Sequence, residues 1–215
     1  MVRVFVAGGT GVIGRSLVPQ LVERGHQVTA TTTGGAGLGL LAQLGADGMV
    51  MDGLDAAAVG EAVAAARPDV VVKAGGVALR YGGLYGRGAG DDQVRLVRKR
   101  LFPLVGGGTG WLSWVHVDDA ASATVLAIEQ RATGVFDIVD DEPAPVSQWL
   151  PYLAECTGAR PPRRVPAGLA RLLAGPLAVA MMTEARAFAN TKAKRELGWQ
   201  LRYPSWRQGF RAEFA

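Results

Sequence analysis

The chain has 215 residues, room for one large or two small domains at about 150 residues each, and its 49% apolar and 20% charged residues exclude a disordered chain. Lys plus Arg is 23 and Asp plus Glu is 19, so the net charge of +4 is too slight for a dedicated polyanion binder. A single cysteine, Cys156, excludes an intrachain disulfide, and two distant histidines, His26 and His116, are too few for a zinc site, so no metal is expected.

Residues 2–7 form a short apolar run broken only by Arg3, read as a strand fully buried in a parallel sheet. Ile13, Leu17 and Leu21 then recur every fourth position beside Val18 and Val22, which predicts a helix ending near Gly25. Strands follow at residues 26–32, 48–51 and 69–73, with helices at 38–44 and 56–67 between them, the second capped by Asp55. Apolar strands alternating with helices predict a doubly wound, mostly parallel α/β sheet of the Rossmann type.

The alternation breaks after residue 73. The strand-like runs 70–72 and 77–81 lie too close for a parallel crossover, which needs a dozen or more residues, so a hairpin is expected. Beyond lie a glycine-rich loop (81–90), a basic helix (92–101), a second glycine-rich loop (106–110) and a strand (111–117). A helix capped by Asp118 or Asp119 and a strand at 135–139 complete a domain over 1–140, and 141–215 reads as a small, mainly helical C-terminal lobe. Residues 117–159 hold eight acidic groups and one basic, and residues 160–215 eleven basic and three acidic. No aromatic and basic interleaving accompanies this, so no nucleic-acid site is expected.

The glycines carry the chemistry. Gly8, Gly11 and Gly14 fall between the first strand and the first helix, where a diphosphate needs bare backbone amides at a helix N-terminus and where small residues let it approach. The second strand ends in Thr31, Thr32 and Thr33, without the acidic residue that would hold the ribose diol of NAD, while Arg15 could meet a ribose phosphate; the reading leans to NADP over NAD. Asp52, after the third strand, could accept from the adenine amino group or cap a turn with Gly53 and Leu54. The N-terminus lacks a signal peptide's long apolar stretch, and the longest uncharged apolar run has 11 residues against the roughly 20 that cross a bilayer, so a cytoplasmic protein with no membrane partner is expected.

AGGTGVIGRSLVPQLVERGHQV at the start, MDGLD, LRYGGLYGRG, WVHVDDAA, GVFDIVDDEPAPVSQWLP and NTKAKRELGWQLRYPSWRQGF resemble, in order, the extended or atypical short-chain dehydrogenases of the NAD-dependent epimerase/dehydratase family. The resemblance implies a nicotinamide cofactor and a small hydroxy or keto substrate, such as a nucleotide sugar, under the C-terminal lobe. It puts Gly8, Thr10, Gly11, Val12, Ile13 and Gly14 at the pyrophosphate, Asp52 and Gly53 at the adenine, Ala74 beside the ribose, and Tyr81 and Gly82 near the nicotinamide. His116, Asp118, Asp119, Lys192 and Trp199 match motifs expected to be structural.

The family's Tyr-x-x-x-Lys pair is missing. Tyr81, Tyr85, Tyr152 and Tyr203 are followed four residues later by Tyr85, Ala89, Cys156 and Arg207. The segment that would carry the pair is expected to be absent at residues 72–77. An unassisted tyrosine, with a pKa of about 10, costs roughly 4 kcal/mol to deprotonate at neutral pH. No catalytic residue is assigned; Lys73, Arg80, Tyr81 and Tyr85 are substitutes by sequence proximity alone. Three functions stay open: a shortened NAD(P)-dependent epimerase, dehydratase or reductase, a dinucleotide-binding sensor without turnover, and a non-redox lyase or cyclase. Loss of covering helices near the fourth strand predicts an apolar patch and hence a homodimer.

Overall fold

The computed structural model describes residues 1–71 and 77–215. In chain order the elements are β1 (Arg3–Val6), α1 (Val12–Glu23), β2 (Gln27–Thr32), α2 (Leu38–Gln43), β3 (Asp47–Val50), α3 (Ala56–Ala66), β4 (Val70–Val71), β5 (Val77–Tyr81), β6 (Gly83–Tyr85) and α4 (Asp91–Arg98). There follow β7 (Leu104–Val105), β8 (Trp111–Leu112), β9 (Trp114–His116), α5 (Val117–Glu129), β10 (Gly134–Ile138), β11 (Ala144–Pro145), α6 (Val146–Cys156), β12 (Arg164–Val165), α7 (Ala167–Thr183), α8 (Thr191–Leu197) and α9 (Trp206–Phe214). The chain divides into two compact units: Met1–Leu79 with Val117–Phe136 and Ala193–Trp199, and Arg80–His116 with Asp137–Lys192 and Gln200–Ala215.

The first unit is built on the four-stranded sheet β3-β2-β1-β4, every adjacent pair parallel. Its central strand β1 is short and apolar because both faces are covered: Val4 and Val6 join Leu17, Val18 and Leu21 of α1 and Ala121 and Val125 of α5, while Phe5 joins Met51 and Ala62 on the other face. Asp55 caps α3 as its position predicts, accepting from the N–H groups of Ala57 (2.9 Å) and Ala58 (3.2 Å). α5 starts at Val117, directly after β9, so Asp118 and Asp119 lie in its first turn and neither is the cap expected from sequence. Carboxylates there still face the positive end of the helix dipole. The Trp199 indole N–H donates to the Asp119 carbonyl (3.2 Å) and the Ser122 hydroxyl (3.0 Å), which gives two of the motifs expected to be structural a shared packing role.

Among the described residues β4 pairs with β1 and β5 with β10, so the hairpin expected between β4 and β5 is not the pairing adopted. Short spacing limits which connections are possible, but a strand's partner is set by which edge offers hydrogen bonds, and for β5 that edge is supplied by a strand more than 50 residues away.

In the second unit the predicted strand at 111–117 is two strands with different partners. β8 pairs antiparallel with β11, β9 pairs parallel with β6, and the change falls at Ser113, whose hydroxyl donates to the Phe188 carbonyl (3.2 Å) and accepts from the Phe188 N–H (3.0 Å). Packing here is aromatic. Trp114 meets Trp149 edge-on at 4.9 Å between ring centroids and Phe210 at 5.1 Å, and Tyr85 meets Phe210 at 5.0 Å, contacts worth about 0.5–1.5 kcal/mol each beyond area burial. Asn190 closes the lobe by donating to the Val139 carbonyl (2.8 Å) and the Asp141 carboxylate (2.7 Å).

Gly209 on α9 leaves space for the Tyr85 ring, which a Cβ there would penetrate. Alanine normally stabilises a helix by about 1 kcal/mol over glycine. Gly209→Ala is expected to do the reverse, lowering stability by about 1–3 kcal/mol through overpacking, readable as a reduced urea midpoint with unchanged m-value.

At the sheet edge, Asp69 accepts from the Arg3 backbone N–H (2.8 Å) and guanidinium (3.0 Å), and these bonds hold its carboxyl below the usual carboxylate range. The stabilising share of a carboxylate lowered in this way is present above the unfolded value of about 3.9 and is lost as pH falls through the folded one. The pair is exposed, so the share is small and salt-screened. Melting Asp69→Asn beside the parent chain should show a deficit at pH 7 that vanishes on acidification below both values and shrinks in high salt.

Candidate functional site: a glycine loop at the opening of the first helix

The loop between β1 and α1 is tied to the end of β2. The Gly8 N–H donates to the Thr31 hydroxyl (3.0 Å), the Gly9 N–H to the Thr31 carbonyl (2.9 Å), and the Gly11 N–H back to the Gly8 carbonyl (3.0 Å). Gly8 has φ +82°, a left-handed conformation that other residues rarely adopt, and a Cβ there would meet nothing within 4 Å. Gly14 is the opposite case. Its Cβ would lie 2.5 Å from the Gly8 carbonyl oxygen and 2.6 Å from that of Gly9, so only glycine lets α1 start so close to the loop. Gly9 is equally confined, with the Ala30 Cβ 2.6 Å from its own built Cβ.

No side chain caps α1, whose N-cap is Gly11. The first-turn amides of a helix have no intrahelical acceptor, so those of Val12, Ile13 and Gly14 are donors at the positive end of a 12-residue helix. Gly8, Gly11 and Val12 are exposed, which leaves the approach to those amides open. Bare amides, a positive dipole and no Cβ in the way form a cradle that fits a diphosphate.

The structure brings most of the expected residues together at the C-terminal ends of β1, β2 and β3. Thr10 lies against the Thr32 hydroxyl (3.4 Å), and the Arg15 side chain folds back so that its Nε donates to the Thr10 carbonyl (2.8 Å). Asp52 follows β3, whose Met51 N–H donates to the Thr32 carbonyl (2.9 Å); one Asp52 carboxylate oxygen accepts from the Leu54 N–H (2.9 Å) in a turn that includes Gly53. Tyr81 ends β5, where the chain has passed into the second unit. Ala74 and Lys73 lie outside the described residues, as does the junction at which the Tyr-x-x-x-Lys segment was expected to be missing.

Two of the sequence-adjacent substitutes for a proton donor are engaged in structure. The Arg80 guanidinium holds Asp137 at two points (2.7 and 2.9 Å), which raises its already high pKa, and it lies 5.5 Å from the Phe188 ring centroid. Tyr85 is 1% exposed within the aromatic core. His116, 2% exposed, pairs with Glu213 (3.2 Å) and stacks on Tyr203 at 4.5 Å, in line with the packing role expected for it.

Sequence reasoning missed Thr31. The threonine run was read for the acid it lacks, whereas the hydroxyl of its first member holds the Gly8 amide and is itself 2% exposed. The available signal was the register of two adjacent parallel strands, which sets the end of β2 beside the loop after β1.

A parallel sheet with a glycine loop opening its first helix is the arrangement of the dinucleotide-binding α/β folds. Residues 4–82 match the NAD dependent epimerase/dehydratase family. A 3-diazoavenalumate denitrifying reductase from Streptomyces sp is 47% identical over 143 residues, which take in 64% of this chain but only 47%, about half, of that relative's length. Among solved structures, a nucleoside-diphosphate-sugar epimerase from Pseudomonas aeruginosa superposes with TM-score 0.77 at 15% identity, over 97% of this chain and 95% of that one. A human epimerase family protein solved with NADPH gives 0.69 at 19% over 98% of each chain, and the dTDP-glucose 4,6-dehydratase of Bacillus anthracis with NAD gives 0.75 at 12% over 100% and 96%. These likenesses establish the fold. The resemblance read from the motifs therefore has its counterpart in residues 4–82, which match that family, and the fold is that of the epimerase structures named here. Among the described residues no helix is long and apolar enough to cross a membrane.

If Thr31 orders the loop, Thr31→Val leaves a part-buried amide without its acceptor, a loss of about 1–3 kcal/mol. Titration calorimetry should show NADPH and NADH binding weakened tenfold or more, with Thr31→Ser restoring affinity.

Proposed function

We propose that this chain is a NAD(P)H-dependent reductase that removes a diazo group from a small molecule. The observation that carries the proposal is a combination: the glycine loop leaves the first-turn amides of α1 open to a diphosphate, yet none of the four tyrosines has a lysine four residues on. A carbonyl reduced by hydride becomes an alkoxide and needs a proton, which is the task of a tyrosine whose pKa a lysine lowers. A diazonium group has no such need. A dinucleotide held by the loop would supply hydride, so that a C–H bond would replace the C–N bond and dinitrogen would leave, the charges balancing with no proton taken up. The activity for which the Streptomyces relative is named, a denitrifying reduction of a diazo compound, is of this class and supports the reading.

Gly8, Thr10, Gly11, Val12, Ile13 and Gly14 hold the diphosphate through backbone amides, and the unpaired oxygen of Asp52 accepts from the adenine amino group. Thr32 and Thr33 present no carboxylate to repel a ribose phosphate, and the outer N–H groups of Arg15 face solvent on the same turn, which supports NADP over NAD. The protein's remaining task is to orient the diazo carbon and keep water from it, which is positioning rather than acid catalysis. Cytoplasmic residence is part of the same proposal, supported by the lone Cys156.

The test uses reduced dinucleotide deuterated at its hydride-bearing carbon and an ortho-hydroxyaryl diazonium probe. The expected product carries one deuterium in ordinary water and none when unlabelled dinucleotide is used in heavy water, and Gly11→Trp abolishes turnover. Solvent-derived deuterium in the product, faster reduction of ketones or sugar nucleotides, or binding without turnover each overturn the proposal.

A further inference from the structure

We infer that the bare outer face of α7 is the contact through which two copies of this chain pair. Within its own unit α7 buries Ala170 and Val179 against Val105, with Val165 and Met182 beside them, and its C-terminal end is tied by the Gly110 N–H to the Met182 carbonyl (3.0 Å) and by the Thr109 hydroxyl to the Thr183 carbonyl (2.7 Å). Its outer positions are largely apolar and exposed. Leu172 is 83% exposed, Leu173 and Leu177 75% each, Met181 53% and Leu169 50%.

Scattered exposed apolar side chains need no explanation, but four leucines and a methionine along one 17-residue segment do. Together they expose roughly 600 Å², the upper end of what monomers show and close to the roughly 800 Å² per partner of a standard interface. Exposed Gly168, Ala174 and Pro176 on the same helix supply much of the difference. Composition points the same way. Arg171 is the one charge from Ala167 to Thr183, and depletion of charge is the mark of the centre of a homodimer contact.

Shape favours a self-complementary pairing. Leu169 and Leu173 precede, and Leu177 and Met181 follow, a break at Gly175, whose φ of +83° and ψ of 166° lie outside the helical range, with Pro176 next, so the apolar positions are carried by two short helical segments. The break exposes residues 171–174 as a complete turn. A two-fold axis beside that turn sets the leucines of each copy against those of the other. An anionic lipid surface is the other occupant that leucines beside an arginine would suit. The area of the apolar positions, and the single charge among them, favour a second copy.

The experiment is sedimentation equilibrium on the whole chain over a wide concentration range, without cofactor. The parent chain should be a dimer, and Leu172→Glu/Leu177→Glu should raise its dissociation constant about 100-fold or more. Because both side chains are three-quarters or more exposed, the variant should keep its circular dichroism spectrum and melting temperature. Leu101→Glu, at an exposed leucine outside α7, should leave the dimer intact. A monomeric parent chain, a dimer indifferent to the double variant, or a monomer that co-sediments with phosphatidylserine vesicles through these leucines each overturns the inference. The result is independent of diazo reduction, since neither cofactor nor substrate is present.

Discussion

The hydrogen bonds from Gly8 and Gly9 to Thr31 are the constraint on which the candidate site depends. A glycine-rich turn is entropically costly to order, and without an anchor it samples many conformations. Here the end of a buried neighbouring strand holds it from one side, and the close packing of Gly14 on the Gly8 and Gly9 carbonyls holds it from the other. Only then do the uncapped amides of α1 converge on one place, an arrangement that suits an anion.

The site's donors are therefore backbone groups, and its specificity lies in what is missing around them. At the end of β2 three hydroxyls occupy the place where a carboxylate would select a ribose diol. At the tyrosines no lysine follows at the fourth position. Under the proposed function the first omission suits a ribose phosphate and the second suits a hydride acceptor that leaves no alkoxide and so requires no proton donor. Arg80, held by Asp137, and Tyr85, sealed among Trp114, His116 and Phe210, are committed to structure, and neither makes good the omission.

The second unit is organised differently. Its sheets have two strands each, too few to bury much by themselves, and cohesion comes from aromatic rings meeting edge to face and from the tail motifs wrapping back through Asn190 and Gly209. Glycine is used there for fit more than for freedom: Gly82 lies against the Ser113 carbonyl and Gly110 against the Met181 backbone. A chain with 30 glycines thus uses them in two ways, as left-handed turns such as Gly8 and as places where two backbones touch.

The sequence by itself determined the elements whose signals are local. The apolar runs of β1 and β2, the four-residue recurrence along α1, the Asp55 cap and the glycines after β1 all act within a few residues of one another, so the parallel sheet and the cradle were legible without coordinates. What only the tertiary structure decided are the pairings that bring distant segments together: β10 as the partner of β5, the change of partner at Ser113, the Thr31 hydroxyl on Gly8, and the bareness of α7. Periodicity says that a face is apolar but not what lies opposite it. A hydroxyl's acceptor or a leucine's exposure is set by neighbours that the linear order does not name.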